Sequence, residues 1–528
     1  MIRTLLSLLV CATALHAAQP PNIVFIFCDD LAYQSMSCYG DKRKLLETPN
    51  MDRIAKEGMR FDRCLVTNSI CGPSRAVIQT GKYSHANGFY NNSNSRFDSS
   101  QPTFPNVLQK SGYQTAVIGK WHLGSDPVGY DYWNVLPGQG AYYNPPMIEN
   151  GKNVKYAGYT TDIIGDLTLK WLDGRDKSKP FMLMSQHKAP HREWEPPLRL
   201  LGFDNDRVYE EPETLFDSYS GRSKAVSDHD MGIDRTFTER DAKLVAPGNL
   251  TPEQRQQWDE YYNPRNAKYR AAAPAGRDLV KWRYQRYMHD YLACVKAVDE
   301  NVGRVLDYLD KNGLTENTVV MLSSDQGFYL GEHGWFDKRW IFEESLRSPL
   351  LVRWPGVTKP GSSTGKIVSL IDFASTFLDI AGAPNLADVH GRSIVPLLKG
   401  ETPADWRNSL YYHYYEYPVP HRVRPHYGVI TDQYKLVHYY KPDVDDWELL
   451  DRKADPLEVK SFYNDPAYAD TVKELKAEIL RLQAEVQETM PPPRFTHGNK
   501  PFENEPQPPE QPKGKGAGKK KAGAKKAE

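Results

Sequence analysis

Four apolar runs, each ending in polar or titratable residues, constrain the fold more than any single motif. Asn22-Ile23-Val24-Phe25-Ile26-Phe27-Cys28 leads into Asp29-Asp30, and Thr115-Ala116-Val117-Ile118 into Gly119-Lys120-Trp121-His122. Phe181-Met182-Leu183-Met184 precedes Ser185-Gln186-His187, and Thr318-Val319-Val320-Met321-Leu322 precedes Ser323-Ser324-Asp325-Gln326. A short uninterrupted apolar run reads as a strand covered on both faces, the situation of a parallel sheet. Helical segments lie between the runs: residues 51–57 stopped at Gly58, 103–110, 158–172, and a longest one over 284–312 stopped at Gly313. The pattern predicts an α/β fold with a large, mostly parallel central sheet flanked by helices. In such sheets ligands gather outside the carboxyl ends of the strands, where the polar residues fall here.

The texture changes near residue 400. Residues 411–415, 427–431, 434–440 and 447–450 read as short strands, and 470–488 as an amphipathic helix. Residues 19–400 are therefore expected to form the main catalytic domain, and 401–490 a smaller antiparallel sheet with one helix. Residues 205–280 are polar and rich in Arg, Asp and Pro, which predicts an insertion or long loop. The stripe of Tyr287, Tyr291, Val295, Val298, Val302 and Leu309 reads as core packing. Residues 1–18 place Arg3 before the apolar segment 5–14 and small residues Ala17-Ala18, the order of a secretory signal. Export to the periplasm or the medium follows. Residues 491–528 are rich in Pro, Gly, Ala and Lys and are expected to be disordered. The 528-residue chain has no net formal charge, yet residues 513–528 hold seven Lys and one Glu, leaving −6 on the rest. No global basic field argues for nucleic acid. No later run is long and apolar enough to suggest a membrane span.

Cys71-Gly72-Pro73-Ser74-Arg75 is the sharpest local motif. Pro73 suits a first helical turn, residues 74–80 continue it, and Gly81 ends it. Cys71 is thus expected just before a short helix, at the positive end that favours an anion or an oxyanion. Asp29, Asp30, Asp325 and Gln326 offer three carboxylates and an amide oxygen, a hard donor set for Ca²⁺ or Mg²⁺ rather than zinc. Lys120 and His122 alternate, so they face the same way if extended. His187 and His191 bracket His187-Lys188-Ala189-Pro190-His191, and Lys338 closes Gly331-Glu332-His333-Gly334-Trp335-Phe336-Asp337-Lys338. Singly, each is an ordinary polar residue. Together they supply what a sulfate ester needs: cations for its oxygens, a proton donor for the leaving alcohol, and a base.

The Cys71–Arg75 motif with Thr80-Gly81, the segment 119–124, the segment 187–191 and the run 323–338 resemble the type I, formylglycine-dependent sulfatases over residues 20–490. Within them, the run 323–340 and the Tyr- and His-rich C-terminal part are similar to bacterial carbohydrate sulfatases, including those acting on 6-sulfated N-acetylglucosamine. The resemblance implies an alkaline-phosphatase-like sheet and a sulfuric ester hydrolase acting on a sulfated glycan, of glycosaminoglycan or mucin type. It implies that Cys71 is oxidised to formylglycine by a formylglycine-generating or anaerobic maturation enzyme. It further implies Ca²⁺, or Mg²⁺, on Asp29, Asp30, Asp325, Gln326 and the hydrate oxygen at position 71. Arg75 would steady the hydrate, and Lys120 and Lys338 would bind sulfate oxygens. His187 would protonate the departing alcohol, and His122 would deprotonate the second hydroxyl to expel sulfate. Gln326 departs from the Asn or His common at its position. Asp337 and Arg339 are expected to clamp sugar hydroxyls, with His191, His421 and His426 reaching the same pocket. Two other readings are a phosphoester or phosphonate hydrolase of the same superfamily, and a non-catalytic glycan-binding protein in which Cys71 stays a thiol.

Overall fold

The computed structural model describes residues 20–93, 95–441 and 443–490. The expected signal and the expected disordered tail lie outside the described residues. The first three apolar runs become strands β1 (Asn22–Cys28), β3 (Gln114–Lys120) and β7 (Phe181–Gln186), and the fourth becomes β8 (Thr318–Ser324). The others are β2 (Met59–Leu65), β4 (Tyr132–Leu136), β5 (Pro146–Glu149), β6 (Lys152–Lys155), β9 (Arg347–Arg353), β10 (Ser362–Thr364) and β11 (Val368–Ser369). Among the described residues they form one mixed sheet in the order β10-β2-β9-β8-β1-β7-β3-β4-β5-β6, with β11 beside β2. The five central strands, β8-β1-β7-β3-β4, are all parallel. The flanks turn antiparallel at β9 and at β5–β6.

Register places the site. Cys28 lies opposite Ser324, Phe27 opposite Gln186, and Gly119 opposite Gln186. Four parallel strands therefore stop at one level, and their next residues fall in a row. Alternation along each strand serves two cores. Phe25, Phe27, Val117, Met184 and Met321 enter one, with Phe373 and Phe377. Val24, Ile26, Ile118, Leu183 and Leu322 enter the other, against the long helix Gly276–Lys311. Gly119 allows β3 this close approach. Its φ is +105°, and a Cβ there would lie 1.9 Å from the Gln186 carbonyl oxygen.

Two expectations are corrected. The 205–280 segment is not one long loop, because it contains the helix Pro252–Ala272. Thr251 and Gln254 cap that helix reciprocally, and Trp258 and Tyr262 anchor it in the core. The long helix also starts at Gly276, eight residues before the expected 284, because Val280 already reaches the core. No helix among the described residues is long and apolar enough to cross a membrane. No disulfide joins Cys28, Cys38, Cys64, Cys71 or Cys294 among the described residues.

A second sheet of four antiparallel strands, β12 (Ser409–Tyr414), β13 (His426–Thr431), β14 (Tyr434–Lys441) and β15 (Val444–Asp451), follows in sequence order. The helix Ala469–Glu485 packs Leu475, Ile479 and Leu482 onto Tyr411, Val429, Leu436 and Leu449. Just beyond it the buried Glu488 accepts from the Tyr415 hydroxyl at 2.5 Å and pairs with His413 at 2.8 Å. Burial opposes its ionisation, but the His413 and His85 imidazoles outweigh that and hold its carboxyl at about 2, down from 4.5. A group so depressed contributes roughly 3 kcal/mol, present above pH 4.5 and lost as pH falls toward 2. Glu488→Gln should therefore flatten the acid limb of the stability curve between these values. Urea midpoints measured from pH 2 to 7 check this; an acid limb unchanged in the variant contradicts the assignment.

Candidate active site

The row of strand ends carries a buried charge cluster. Asp29, Asp30 and Asp325 are fully buried, and one oxygen from each falls within 4.8 Å of the others. Three cations face them. The Arg75 guanidinium donates to Asp325 at 2.9 Å, to the Gln186 side-chain oxygen at 2.7 Å and to the Lys120 carbonyl at 2.7 Å. Lys120 Nζ donates to Asp29 in a very short contact and to Gln139 at 2.5 Å. Lys338 Nζ donates to Asp30 at 2.7 Å. Removing one partner from such a set leaves an uncompensated buried charge, at a cost of about 3–5 kcal/mol.

The carboxylates titrate unequally. Burial pushes Asp30 up to about 6 and Asp325 well above the usual carboxylate range, the latter aided by the neighbouring Asp29 charge. For Asp29, burial is outweighed by the Lys120 ammonium, which holds it well below that range. Asp29 Oδ1 and Gln326 Oε1 are buried without a hydrogen-bond partner among the described residues. Three converging carboxylates with orphaned oxygens fit a hard divalent cation. Gln326 instead turns its amide nitrogen to the carboxylates, donating to Asp325 at 2.7 Å and in a shorter contact to Asp30. Exchanging the amide's O and N would present the oxygen expected of a ligand.

The backbone is bent to make this cluster. Asp30 has φ +66°, outside the range of an ordinary strand residue. Tyr291 OH holds that turn, donating to the Asp30 carbonyl at 2.8 Å and accepting from the Ala32 amide at 2.8 Å. Tyr291 thus does more than the core packing read from its helical stripe. His122 has φ +55°, so Lys120 and His122 are not related by strand alternation as expected. The chain leaves the strand after Lys120, where β3 ends.

Cys71 is the first residue of the helix Cys71–Thr80, one position later in the fold than expected, with Ile70 as its N-cap. The thiol is fully buried, and burial pushes it up to about 12 despite Lys338 nearby. So little thiolate exists near neutral pH that an unmodified cysteine here is a poor nucleophile. Sγ of Cys71, a ring nitrogen of His191 and an Asp29 oxygen lie within 4.8 Å of one another. His191 therefore sits beside Cys71 and the carboxylates. His187 follows β7, its amide donating to the Phe27 carbonyl at 2.7 Å. Nδ1 of His187 and Nδ1 of His122 are buried without partners among the described residues. Burial lowers His187 to about 4 and holds His122 well below the usual imidazole range, the latter helped by the Lys120 charge.

Beside this centre, Asp337 accepts from Arg339 at 2.8 Å and pairs with His421 Nε2 at 3.0 Å. Asp337 and Arg339 adopt φ +82° and +89°, so the loop aims both side chains at a backbone cost. His426 is placed differently from the expectation. It is enclosed by the rings of Trp340, Tyr412, Tyr414 and Tyr439, and its Nδ1 faces the Arg424 carbonyl. A position on β13 points it into aromatic packing, and the preceding loop delivers His421 instead. Gln139 and Gln186 were not singled out from the sequence. Gln186 stood in plain view at a strand end; Gln139 had only its turn between Gly138 and Gly140 as a signal.

Gly72 fixes how the site is roofed. Its amide donates to Asn92 Oδ1 at 3.0 Å, and a Cβ would lie 2.5 Å from the Phe89 ring and 2.7 Å from that oxygen. Gly72→Ala should push the 89–92 loop off the helix, with a stability loss of about 1–3 kcal/mol. Thermal unfolding and turnover measured together check this; a variant with wild-type values for both contradicts the contact.

A sulfatase family model matches residues 21–383, and one described as N-sulphoglucosamine sulphohydrolase, C-terminal, matches residues 331–485. The chain is 47% identical to an N-acetylglucosamine-6-O-sulfatase of Bacteroides thetaiotaomicron, over 93% of this chain and 91% of that one. It is 29% identical to the N-acetylglucosamine-6-sulfatase of Homo sapiens, over 75% and 67% respectively. A solved structure of a protein in complex with its substrate D-glucosamine-2-N,6-O-disulfate superposes with a TM-score of 0.87 at 47% identity, covering 92% of this chain and all of that one. The phosphonate monoester hydrolase of Agrobacterium radiobacter, at 18% identity and a TM-score of 0.67 over 88% and 96%, shares the fold.

Proposed function

The chain belongs to the sulfatase family and is a sulfuric ester hydrolase, and from that premise we propose that it removes the 6-O-sulfate of glucosamine-type sugars in glycans. The observation that carries this is the triad of buried cations, Arg75, Lys120 and Lys338, meeting three carboxylates at Cys71. The 47% identical relative named for N-acetylglucosamine 6-O-sulfate supports the sugar. The Asp337–Arg339–His421 cluster supports a site that reads hydroxyl groups.

In this reading Cys71 is oxidised to formylglycine by a maturation enzyme before the protein acts outside the cytoplasm. Hydrated formylglycine would supply a geminal diol: one hydroxyl oxygen, its proton passed to a carboxylate of the cluster, would bond to sulfur as the ester S–O bond breaks, and the other would later give up its proton. Asp29, Asp30, Asp325 and Gln326 would hold a divalent cation, Ca²⁺ in first place, which supplies positive charge next to the nucleophile and the sulfate oxygens. Lys120 and Lys338 bind sulfate oxygens and offset charge that builds up in the transition state. Arg75, anchored to Asp325 and Gln186, keeps the helix start fixed against the strands. His187 gives a proton to the leaving alcohol. Burial keeps it neutral in the free protein, and an arriving anionic ester favours its charged form. His122, neutral and with a free ring nitrogen, accepts the proton of the second hydroxyl. The carbon–oxygen double bond re-forms, sulfate leaves, and water restores the hydrate. Asp337 and Arg339 hold sugar hydroxyls.

Four measurements test this. In natively produced protein the tryptic peptide of residues 64–75 should carry an aldehyde at position 71; a thiol there in an active preparation would overturn the formylglycine step. Cys71→Ala should lower kcat by about a thousandfold or more with little change in Tm. Chelation should lower Tm by several degrees, with Ca²⁺ restoring it, since a ligand specific to the native state stabilises it; a Tm indifferent to both contradicts the metal site. Faster turnover of aryl phosphate than of aryl sulfate would transfer the site to phosphate chemistry.

A further inference from the structure

One buried carboxylate outside the charge cluster touches both the roof of the nucleophile helix and the sugar-facing arginine. Glu416 follows β12 of the second sheet and is 3% exposed. Its Oε1 accepts from the Asn92 amide at 3.1 Å and from the Ser93 hydroxyl at 3.4 Å. Its Oε2 lies 3.6 Å from Arg339 Nη2 and 3.5 Å from the Tyr414 hydroxyl. Asn92 in turn accepts from the Gly72 amide, one residue from the nucleophile. Arg339 continues to Asp337 and His421. A single chain of contacts thus runs from Gly72 through Asn92, Glu416, Arg339 and Asp337 to His421. It joins the two sheets across the site.

Arg339 depends on such support. Its backbone is held at φ +89°, a conformation that a non-glycine residue keeps only when its surroundings impose it. Among the described residues three polar contacts hold it: Tyr412 OH donates to its carbonyl at 2.8 Å, Asp337 takes one guanidinium nitrogen, and Glu416 faces the other. Burial raises the Glu416 carboxyl, with the Arg339 charge opposing that rise. We propose that Glu416 is a positioning residue for this enzyme: it fixes the Arg339 guanidinium for the sugar and the Asn92 loop over the nucleophile helix. The inference rests on the glycan reading of the site, and it deepens that reading by naming what aims the arginine.

The test compares wild type with Glu416→Gln and Glu416→Asp. Substrates are 4-nitrophenyl sulfate, glucosamine 6-sulfate, N-acetylglucosamine 6-sulfate and galactosamine 6-sulfate, with Tm recorded for each protein. In the Gln variant the amide oxygen still accepts from Asn92, but the NH₂ group opposes the guanidinium. The KM for the preferred saccharide should rise by about tenfold or more, as expected for a lost charge-assisted contact. The saccharide-to-aryl ratio of kcat/KM should fall by a similar factor, with Tm nearly unchanged. The Asp variant, which keeps the charge, should recover part of the ratio. An unchanged ratio, or an equal loss on every substrate together with a lowered Tm, overturns the proposal. Preference for galactosamine 6-sulfate would reject the glucosamine reading, yet the ratio on that sugar still decides Glu416. Should the wild type turn over no saccharide, a crystal structure of the Gln variant decides: Arg339 displaced from Asp337 supports the role, and Arg339 in place overturns it.

Discussion

Mutual neutralisation of buried charge governs this molecule. Asp29, Asp30 and Asp325 have almost no contact with water, and neither do Arg75, Lys120 and Lys338. Either set alone would be intolerable in a protein interior. Their meeting is possible because β8, β1, β7 and β3 run parallel and stop in register. Once that edge exists, other features become necessary: the left-handed turn at Asp30, the Tyr291 hydroxyl that holds it, and the missing side chain at Gly119. The same edge receives the start of the nucleophile helix, because Arg75 reaches across to Asp325.

Much of this was legible in the sequence. An unbroken apolar run that ends in acids or amides carries both its burial and its polarity, so the strands and their payloads could be placed before the structure. Asp29, Asp30, Asp325 and Lys120, all at strand ends, do meet at one site, and Lys338 joins them from a loop. What was not legible depends on tertiary choices. Helix Pro252–Ala272 is polar over most of its surface, and only Trp258, Tyr262 and Asn266 are buried, so its period is faint. His122 looked like the strand partner of Lys120 until the chain left the sheet. His421 and His426 were equivalent by composition, and one turn of backbone separates a site residue from a packing residue. Glu416 had no signal, because its partners Asn92, Ser93 and Arg339 lie on separate, distant segments of the chain.

The second sheet is more than an appendage. Its loops and strand ends deliver His421 and Glu416 to a centre built by the first sheet, and its aromatic face packs around Trp340, next to Arg339. The charge cluster therefore belongs mostly to the parallel edge, while the group around Arg339 is shared between the two sheets. The loop around residue 337 belongs to both, because Lys338 pairs with Asp30 while Asp337 and Arg339 meet His421 and Glu416.

The contacts that define the site span most of the chain. Asp30 meets Lys338 across 308 positions, and Asn92 meets Glu416 across 324. Non-local contacts close late, after the entropy of the intervening loops has been overcome. The strand pairing is as non-local as the charge contacts, with Asn22 of β1 opposite Thr318 of β8. A molecule with the second sheet undocked would keep the contacts of Asp29, Asp30 and Asp325 with their cations, and lose Glu416 from Arg339 and His421 from Asp337.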